Sequence, residues 1–128
     1  MPTTIAIVDD SSTIRKLVRA FIESHTDWNV CGEAENGDTA IALAERLHPD
    51  LIVLDFAMPV KNGLDAARTI TSESPNSEIV LFTAHATNQL TKEAKQVGIR
   101  TVVAKDSTAS LEQLVSILRQ IRLNPRAA

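Results

Sequence analysis

Five side chains suited to oxygen chemistry stand just past short apolar runs. Asp9 and Asp10 follow Ile5-Ala6-Ile7-Val8, Asp55 follows Leu51-Ile52-Val53-Leu54, Thr83 follows Ile79-Val80-Leu81-Phe82, and Lys105 follows Thr101-Val102-Val103-Ala104. Three carboxylates brought together repel one another unless something positive joins them. With no cysteine or histidine pair at zinc-ligand spacing, the set suits a hard divalent cation bound by oxygen, Mg2+ rather than zinc. Mg2+ takes one or two carboxylates and leaves positions open for phosphate oxygens. An ammonium and a hydroxyl beside it match the charge spread over a phosphoryl group in transfer, and a carboxylate such as Asp55 can be the nucleophile for that group.

Taken singly, each residue has a plainer reading. An Asp at a strand end is more often a helix cap or a solvated loop residue, and Asp9-Asp10 could cap a helix starting near Ser12. Thr83 and Lys105 could be an ordinary strand-end hydroxyl and a surface ammonium. The set acquires meaning only if the fold carries all five to one rim.

The pattern of the chain predicts that it does. Ile5–Val8 reads as a buried strand. Ile14, Leu17, Val18, Phe21 and Ile22 then recur at helical spacing, with Ser11 or Ser12 as N-cap. Trp28–Ala34 is a more polar strand, fit for a sheet edge, and Trp28 reads as a strand-packing residue. Asn36-Gly37-Asp38 signals a turn, followed by a helix with Ala40, Ile41, Leu43, Ala44 and Leu47 inward, closed by Pro49 and Asp50. Leu51–Leu54 is continuously apolar, as a central parallel strand is. The segment from Asp55 to Gly63 is a loop, which Pro59 stiffens and Gly63 lets turn into a helix carrying Leu64, Ala67 and Ile70. Ser74-Pro75-Asn76 ends it. The strand Ile79–Phe82, a helix with Leu90, Ala94 and Val97 stopped by Gly98, the strand Thr101–Ala104 and a helix with Leu111, Leu114, Val115, Leu118 and Ile121 complete the series. Five βα units imply a doubly wound parallel α/β sheet with helices on both faces, and in such folds ligands bind beyond the carboxyl ends of the strands.

Composition narrows the function. Thirteen Lys+Arg against sixteen Asp+Glu give a net charge of −3, the wrong sign for a chain whose main partner is nucleic acid. Arg119, Arg122 and Arg126 complement the dipole of the last helix. No apolar run approaches a membrane span, no signal peptide is visible, and the single cysteine, Cys31, cannot form an internal disulfide. These point to a cytoplasmic domain occupying residues 1–128.

Taken together the motifs resemble the receiver domains of bacterial two-component response regulators, from about Ile5 to Ile121. The resemblance rests on Val8-Asp9-Asp10, Leu54-Asp55, Met58-Pro59-Val60-Lys61-Asn62-Gly63, Thr83-Ala84 and Lys105. It implies a flavodoxin-like (βα)5 fold with strand order 2-1-3-4-5. It also implies that Asp55 receives a phosphoryl group from a phosphohistidine on a sensor histidine kinase. Asp10 and Asp55 would bind Mg2+ directly, Asp9 largely through water, and the Ala57 backbone carbonyl would complete the protein ligands. Thr83 and Lys105 would contact the phosphoryl oxygens and signal to the face formed by the fourth helix, fifth strand and fifth helix, around Leu90, Val102 and Leu118. The output would be a downstream protein, an effector domain, or a phosphorylation-dependent dimer. Ala57 and His85, two residues beyond Asp55 and Thr83, correspond to positions bordering the path of the attacking water, and are expected to modulate the lifetime of the phosphorylated state.

The chain departs from the family pattern in two places. Val102 stands where an aromatic residue often swings inward, so output must rely on Thr83 and loop movement. Asp106-Ser107 follows Lys105 where many members have proline, which is similar to receivers attached to helix-turn-helix DNA-binding domains. Competing classes fit less well. A phosphohydrolase of the haloacid-dehalogenase type needs Asp-x-Asp after the first strand and a cap-sized insertion, and a flavin-binding domain needs a first loop that welcomes phosphate. A phosphorylation-independent scaffold would have no need of the full set of site residues.

Overall fold

The computed structural model describes residues 2–107 and 109–124. The chain alternates strictly between strand and helix: β1 Thr4–Val8, α1 Ser12–His25, β2 Asn29–Ala34, α2 Gly37–Leu47, β3 Leu51–Leu54, α3 Gly63–Glu73, β4 Glu78–Thr83, α4 Asn88–Gln96, β5 Thr101–Ala104 and α5 Ser110–Leu123. The five strands are paired in parallel in the order β2-β1-β3-β4-β5. β2 lies at an edge and β3 at the centre, as their polar and apolar characters predict.

The sheet is covered on both faces. Val18 and Ile22 of α1 and Leu114, Val115, Leu118 and Ile121 of α5 pack with Ile5, Ile7, Val53 and Val80 on one face. On the other, α2, α3 and α4 pack Leu43, Ala67, Ile70 and Ala94 with Ala6, Ile52, Leu54 and Leu81. Trp28 packs at the margin of the α1–α5 face.

Local chemistry sets where each helix starts. The Ser11 hydroxyl accepts from the Ile14 N–H, Asn62 Oδ1 from the Asp65 N–H, and the Thr87 hydroxyl from the Leu90 N–H, each satisfying a donor that the first helical turn leaves free. Asn36 and Thr39 form a reciprocal capping box, so Gly37 and Asp38 belong to α2 itself rather than to a free turn. At the other end of the chain, Arg119 donates to the His25 carbonyl, beside the C-terminal end of α1, and Arg122 Nε to the Thr3 hydroxyl at 3.2 Å. Arg126 lies outside the described residues.

Two apolar residues expected on inward faces are on the surface. Leu47 is 39% exposed because α2 ends beside it, with His48 capping the helix in the left-handed conformation (φ 44°). Leu17 is 52% exposed: it follows the apolar period of α1, but α1 turns only Val18 and Ile22 fully into the core. Among the described residues no helix is long and apolar enough to cross a membrane.

Candidate functional site

Strand register brings the expected residues level. Val8 is opposite Leu54 and Leu54 opposite Leu81, so Asp9 and Asp55 follow at one height on neighbouring strands. Thr83 is opposite Ala104, placing Lys105 one step beyond it. The ladder runs on past the strands: the Asp55 N–H donates to the Val8 carbonyl at 3.0 Å, the Asp9 N–H to Ala34 at 3.1 Å, and the Lys105 N–H to Thr83 at 2.9 Å. The chemical side chains therefore start from backbone as fixed as the sheet itself.

Asp9, Asp10 and Asp55 each offer an oxygen within 4.8 Å of the others. Asp9 and Asp55 are buried and Asp10 is exposed. Lys105 Nζ lies 2.5 Å from Asp9 Oδ2 and 3.4 Å from Asp55 Oδ1, and 5.5 Å from the centre of the Phe82 ring. The Ser11 N–H donates to Asp9 Oδ1 at 2.9 Å, and the Phe56 N–H to Asp55 Oδ1 at 2.8 Å. Three carboxylates against one ammonium leave two negative charges uncompensated when all are ionised. Burial pushes the Asp55 carboxyl above the ordinary carboxylate range; Lys105 opposes the rise and the Asp9 charge adds to it. An all-oxygen cluster with this excess is what a hard divalent cation fits.

The acceptor loop between β3 and α3 is shaped by two close approaches. A Cβ on Gly63 would collide with the Asp55 carbonyl, and one on Gly37 with the Lys61 backbone. Gly63 thus works by lacking a side chain where the loop closes on itself, its N–H donating to the Phe56 carbonyl at 2.8 Å, rather than by the conformational freedom expected of it. The turn itself falls on Val60, whose φ is 71°, with the Lys61 N–H donating to the Pro59 carbonyl at 2.8 Å. This is a γ-turn of the positive-φ kind, strained for a β-branched residue. Asp38 at the head of α2 lies 3.6 Å from Lys61 Nζ.

Thr83 is fully buried, and its hydroxyl accepts from the His85 N–H at 3.2 Å. His85 is exposed and lines a cleft of about 330 Å³ with Phe56, Ala57, Thr87, Leu90 and Glu93. The two expected modulators, Ala57 and His85, therefore share one cleft. Of the residues expected to mark the output face, Leu90 packs in the α2–α3–α4 core, Val102 is half-buried at its margin, and Leu118 is fully buried on the opposite side of the sheet. They lie beneath that face rather than on it.

The sequence did not single out Arg15. Its Nη1 donates to the Asp9 carbonyl at 2.7 Å and its Nε to Glu33 Oε1 at 3.0 Å. Helical spacing marks Arg15 only as part of the polar side of α1, and its contact with Asp9 depends on how α1 docks.

The sequence profile of the response regulator receiver domain matches residues 5–119. The chain is 36% identical over 115 residues to the uncharacterized transcriptional regulatory protein YxjL of Bacillus subtilis, covering 90% of this chain and 52% of that protein. It is 31% identical over 118 residues to Protein CcdB of the same organism, covering 91% of this chain and 98% of that one. A LuxR-family two-component response regulator from Aurantimonas sp. SI85-9A1 superposes with a TM-score of 0.90 at 28% identity, covering 100% of this chain and 90% of that one. The chain belongs to the response regulator receiver domain family. It is a phospho-accepting signalling switch of two-component systems. It spans about half the length of YxjL and nearly all of CcdB.

Proposed function

We propose that the whole chain is one receiver domain in which Asp55 takes a phosphoryl group from the phosphohistidine of a sensor histidine kinase, with Mg2+ at the cluster of Asp9, Asp10 and Asp55. The observation that carries this reading is the convergence of the three carboxylates within 4.8 Å, with Lys105 reaching two of them.

Asp55 Oδ1 is engaged by the Phe56 N–H and by Lys105. One oxygen of the Asp55 carboxylate bonds to phosphorus as the bond from phosphorus to the imidazole nitrogen breaks and the imidazole leaves. Asp10, Asp55 and the Ala57 carbonyl would hold the metal, with Asp9 behind a water. When bound, Mg2+ supplies charge neutralisation at the phosphoryl oxygens. Lys105, already beside both buried carboxylates, would contact the phosphoryl oxygens with its ammonium. Thr83 must turn its hydroxyl toward the phosphoryl group, which gives up its bond from the His85 N–H. That exchange connects the acceptor to the β4–α4 loop without an aromatic at position 102.

The output is a change in the α4–β5–α5 face, read by an effector domain, a downstream protein or a second copy of the chain. Catalysis is limited to the domain's own phosphorylation and dephosphorylation, and a cytoplasmic location fits a phosphoryl donor of this kind.

Incubation with acetyl phosphate and Mg2+ tests the assignment. Intact-mass measurement should show one added phosphoryl group, lost in Asp55→Asn and lost on chelation. A persistent stoichiometric adduct in Asp55→Asn would overturn the choice of acceptor.

A further inference from the structure

We infer that Arg15 is a positioning residue that sets the aim of the Asp10 carboxylate, and thereby the affinity of the acidic cluster for Mg2+; the inference rests on the metal-site reading above. Asp10 is exposed, and among the described residues its side chain has no hydrogen bond or ion pair. What fixes the point from which it reaches the cluster is the backbone. The carbonyl of Asp9 belongs to the peptide that joins Asp9 to Asp10, and Arg15 Nη1 donates to it at 2.7 Å. The Asp9 N–H is fixed on Ala34 at 3.1 Å, and Asp9 Oδ1 by the Ser11 N–H at 2.9 Å. Arg15 thus holds the carbonyl of the peptide ahead of Asp10, between an Asp9 N–H and an Asp9 side chain that are already fixed.

Arg15 is itself held. Its Nε donates to Glu33 Oε1 at 3.0 Å, while the other oxygen of Glu33 accepts from Arg19 Nη1 at 2.7 Å. A planar fork with donors in two directions spans a carboxylate on β2 and a carbonyl of the β1–α1 turn. An ammonium, with one point of attachment, cannot make both bonds at the same angles. Groups behind a metal ligand of this kind commonly affect affinity as strongly as weak ligands do.

Charge and geometry predict opposite signs. Arg15 is a cation near a cation site, so by Coulomb's law alone its removal should tighten Mg2+ binding or leave it unchanged. If Arg15 aims Asp10, its removal should weaken binding.

The experiment is calorimetric titration with Mg2+ of the wild type, Arg15→Ala, Arg15→Lys, Glu33→Gln, Lys16→Gln and Asp10→Asn. Both Arg15 variants should bind about tenfold more weakly. Glu33→Gln should shift in the same direction by a smaller factor, and Lys16→Gln, which removes an exposed charge from the same helix, should show no loss. In acetyl phosphate assays the Mg2+ concentration for half-maximal rate should rise by the same factor, while the rate at saturating Mg2+ is retained. Unchanged or tighter binding in Arg15→Lys would overturn the inference. So would a fallen saturating rate at unchanged affinity, which would place Arg15 on the phosphoryl group. Should Arg15→Ala fail to fold, Arg15→Lys and Glu33→Gln decide the question. A wild type that binds no Mg2+, or an Asp10→Asn that binds as well as the wild type, overturns the metal-site reading itself and this inference with it.

Discussion

Where the strands begin, Glu78 opens β4 beside Arg100, and Asp50 accepts from the Thr4 N–H at 2.8 Å and its hydroxyl at 3.2 Å. Where they finish, Asp9, Asp10 and Asp55 gather around Lys105. Both ends of one sheet bury acids. At the first, a guanidinium meets Glu78 and a serine pair closes the neighbouring turn, Ser77 Oγ donating to the Pro49 carbonyl at 2.5 Å and lying 2.7 Å from Ser74 Oγ. At the second, acids outnumber cations and the backbone supplies only single N–H donors to Asp9 and Asp55. The buried polar groups at the first end are matched and hold strands together; those at the second are left short of positive charge. Carboxylates crowded within 4.8 Å of one another, not burial of acid, distinguish the site from the seam.

Breaking the matched end should have the largest effect. Arg100→Met leaves Glu78 without its guanidinium and should lower the unfolding free energy in urea by about 2–3 kcal/mol, below the roughly 3–5 kcal/mol of a wholly buried pair because Arg100 is partly exposed. Phosphorylation by acetyl phosphate should persist in the folded fraction. A stability change below the error of the melt would make the first end no tighter a pairing than an ordinary surface contact.

Supplying the missing charge at the other end should come next. Mg2+ at ten times its dissociation constant should add about 1.4 kcal/mol to wild-type stability through linkage, and the same increment to Arg100→Met, since the two ends are separate. Asp10→Asn should lose most of it. Equal stabilisation of Asp10→Asn would mean that the ion binds elsewhere.

The difference between the ends also explains what could be read from the chain. Strand ends are legible because continuous apolar runs such as Leu51–Leu54 stop abruptly at a polar residue, and parallel pairing then sets those ends level. Asp9, Asp10, Asp55, Thr83 and Lys105 followed from that rule. Contacts set by how a helix leaves its turn or docks were not legible: Arg15 on Asp9 depends on the angle at which the β1–α1 turn launches α1, and Gly37 against Lys61 on the position of α2 relative to a loop far away in sequence. The exposure of Leu17 and Leu47 was hidden for the same reason. Periodicity gives a helix an apolar stripe, but not the width of that stripe the core will cover. The strained turn at Val60 was equally silent, since nothing in a valine announces a φ of 71°.

A smaller effect is expected at the mouth of the acidic end. His85 shares its cleft with Ala57 and holds Thr83 through its backbone N–H. His85→Ala keeps that N–H and removes only the imidazole. It should change the dephosphorylation rate several-fold, about 1 kcal/mol in barrier, with Asp55 still phosphorylated. Phosphate release from the two proteins between pH 6 and 8 measures it, and identical rates would remove the His85 imidazole from the determinants of lifetime.

The smallest effect tests the imbalance directly. Burial raises the Asp55 carboxyl, with Lys105 pulling it down and Asp9 pushing it further up. The folded state thus holds the Asp55 proton at pH values where the unfolded chain, near the ordinary carboxylate value of about 4, has released it. Wherever the folded state binds more protons than the unfolded one, stability falls as pH rises. The cost of charging Asp55 is absent below that ordinary value, grows through the window up to the raised one, and is complete above it. Asn at position 55 has nothing to charge. In chelator, Asp55→Asn should gain stability relative to the wild type as pH rises from about 3.5 to 7. The gain stays small because Lys105 loses one of its two acidic neighbours, at 3.4 Å, while keeping Asp9 at 2.5 Å. The substitution touches only the acidic cluster, so the difference between the two urea curves isolates that cluster. A variant that loses stability relative to the wild type over that range would show that attraction to Lys105 outweighs burial and repulsion. The acidic end would then be as well matched as the end where the strands begin.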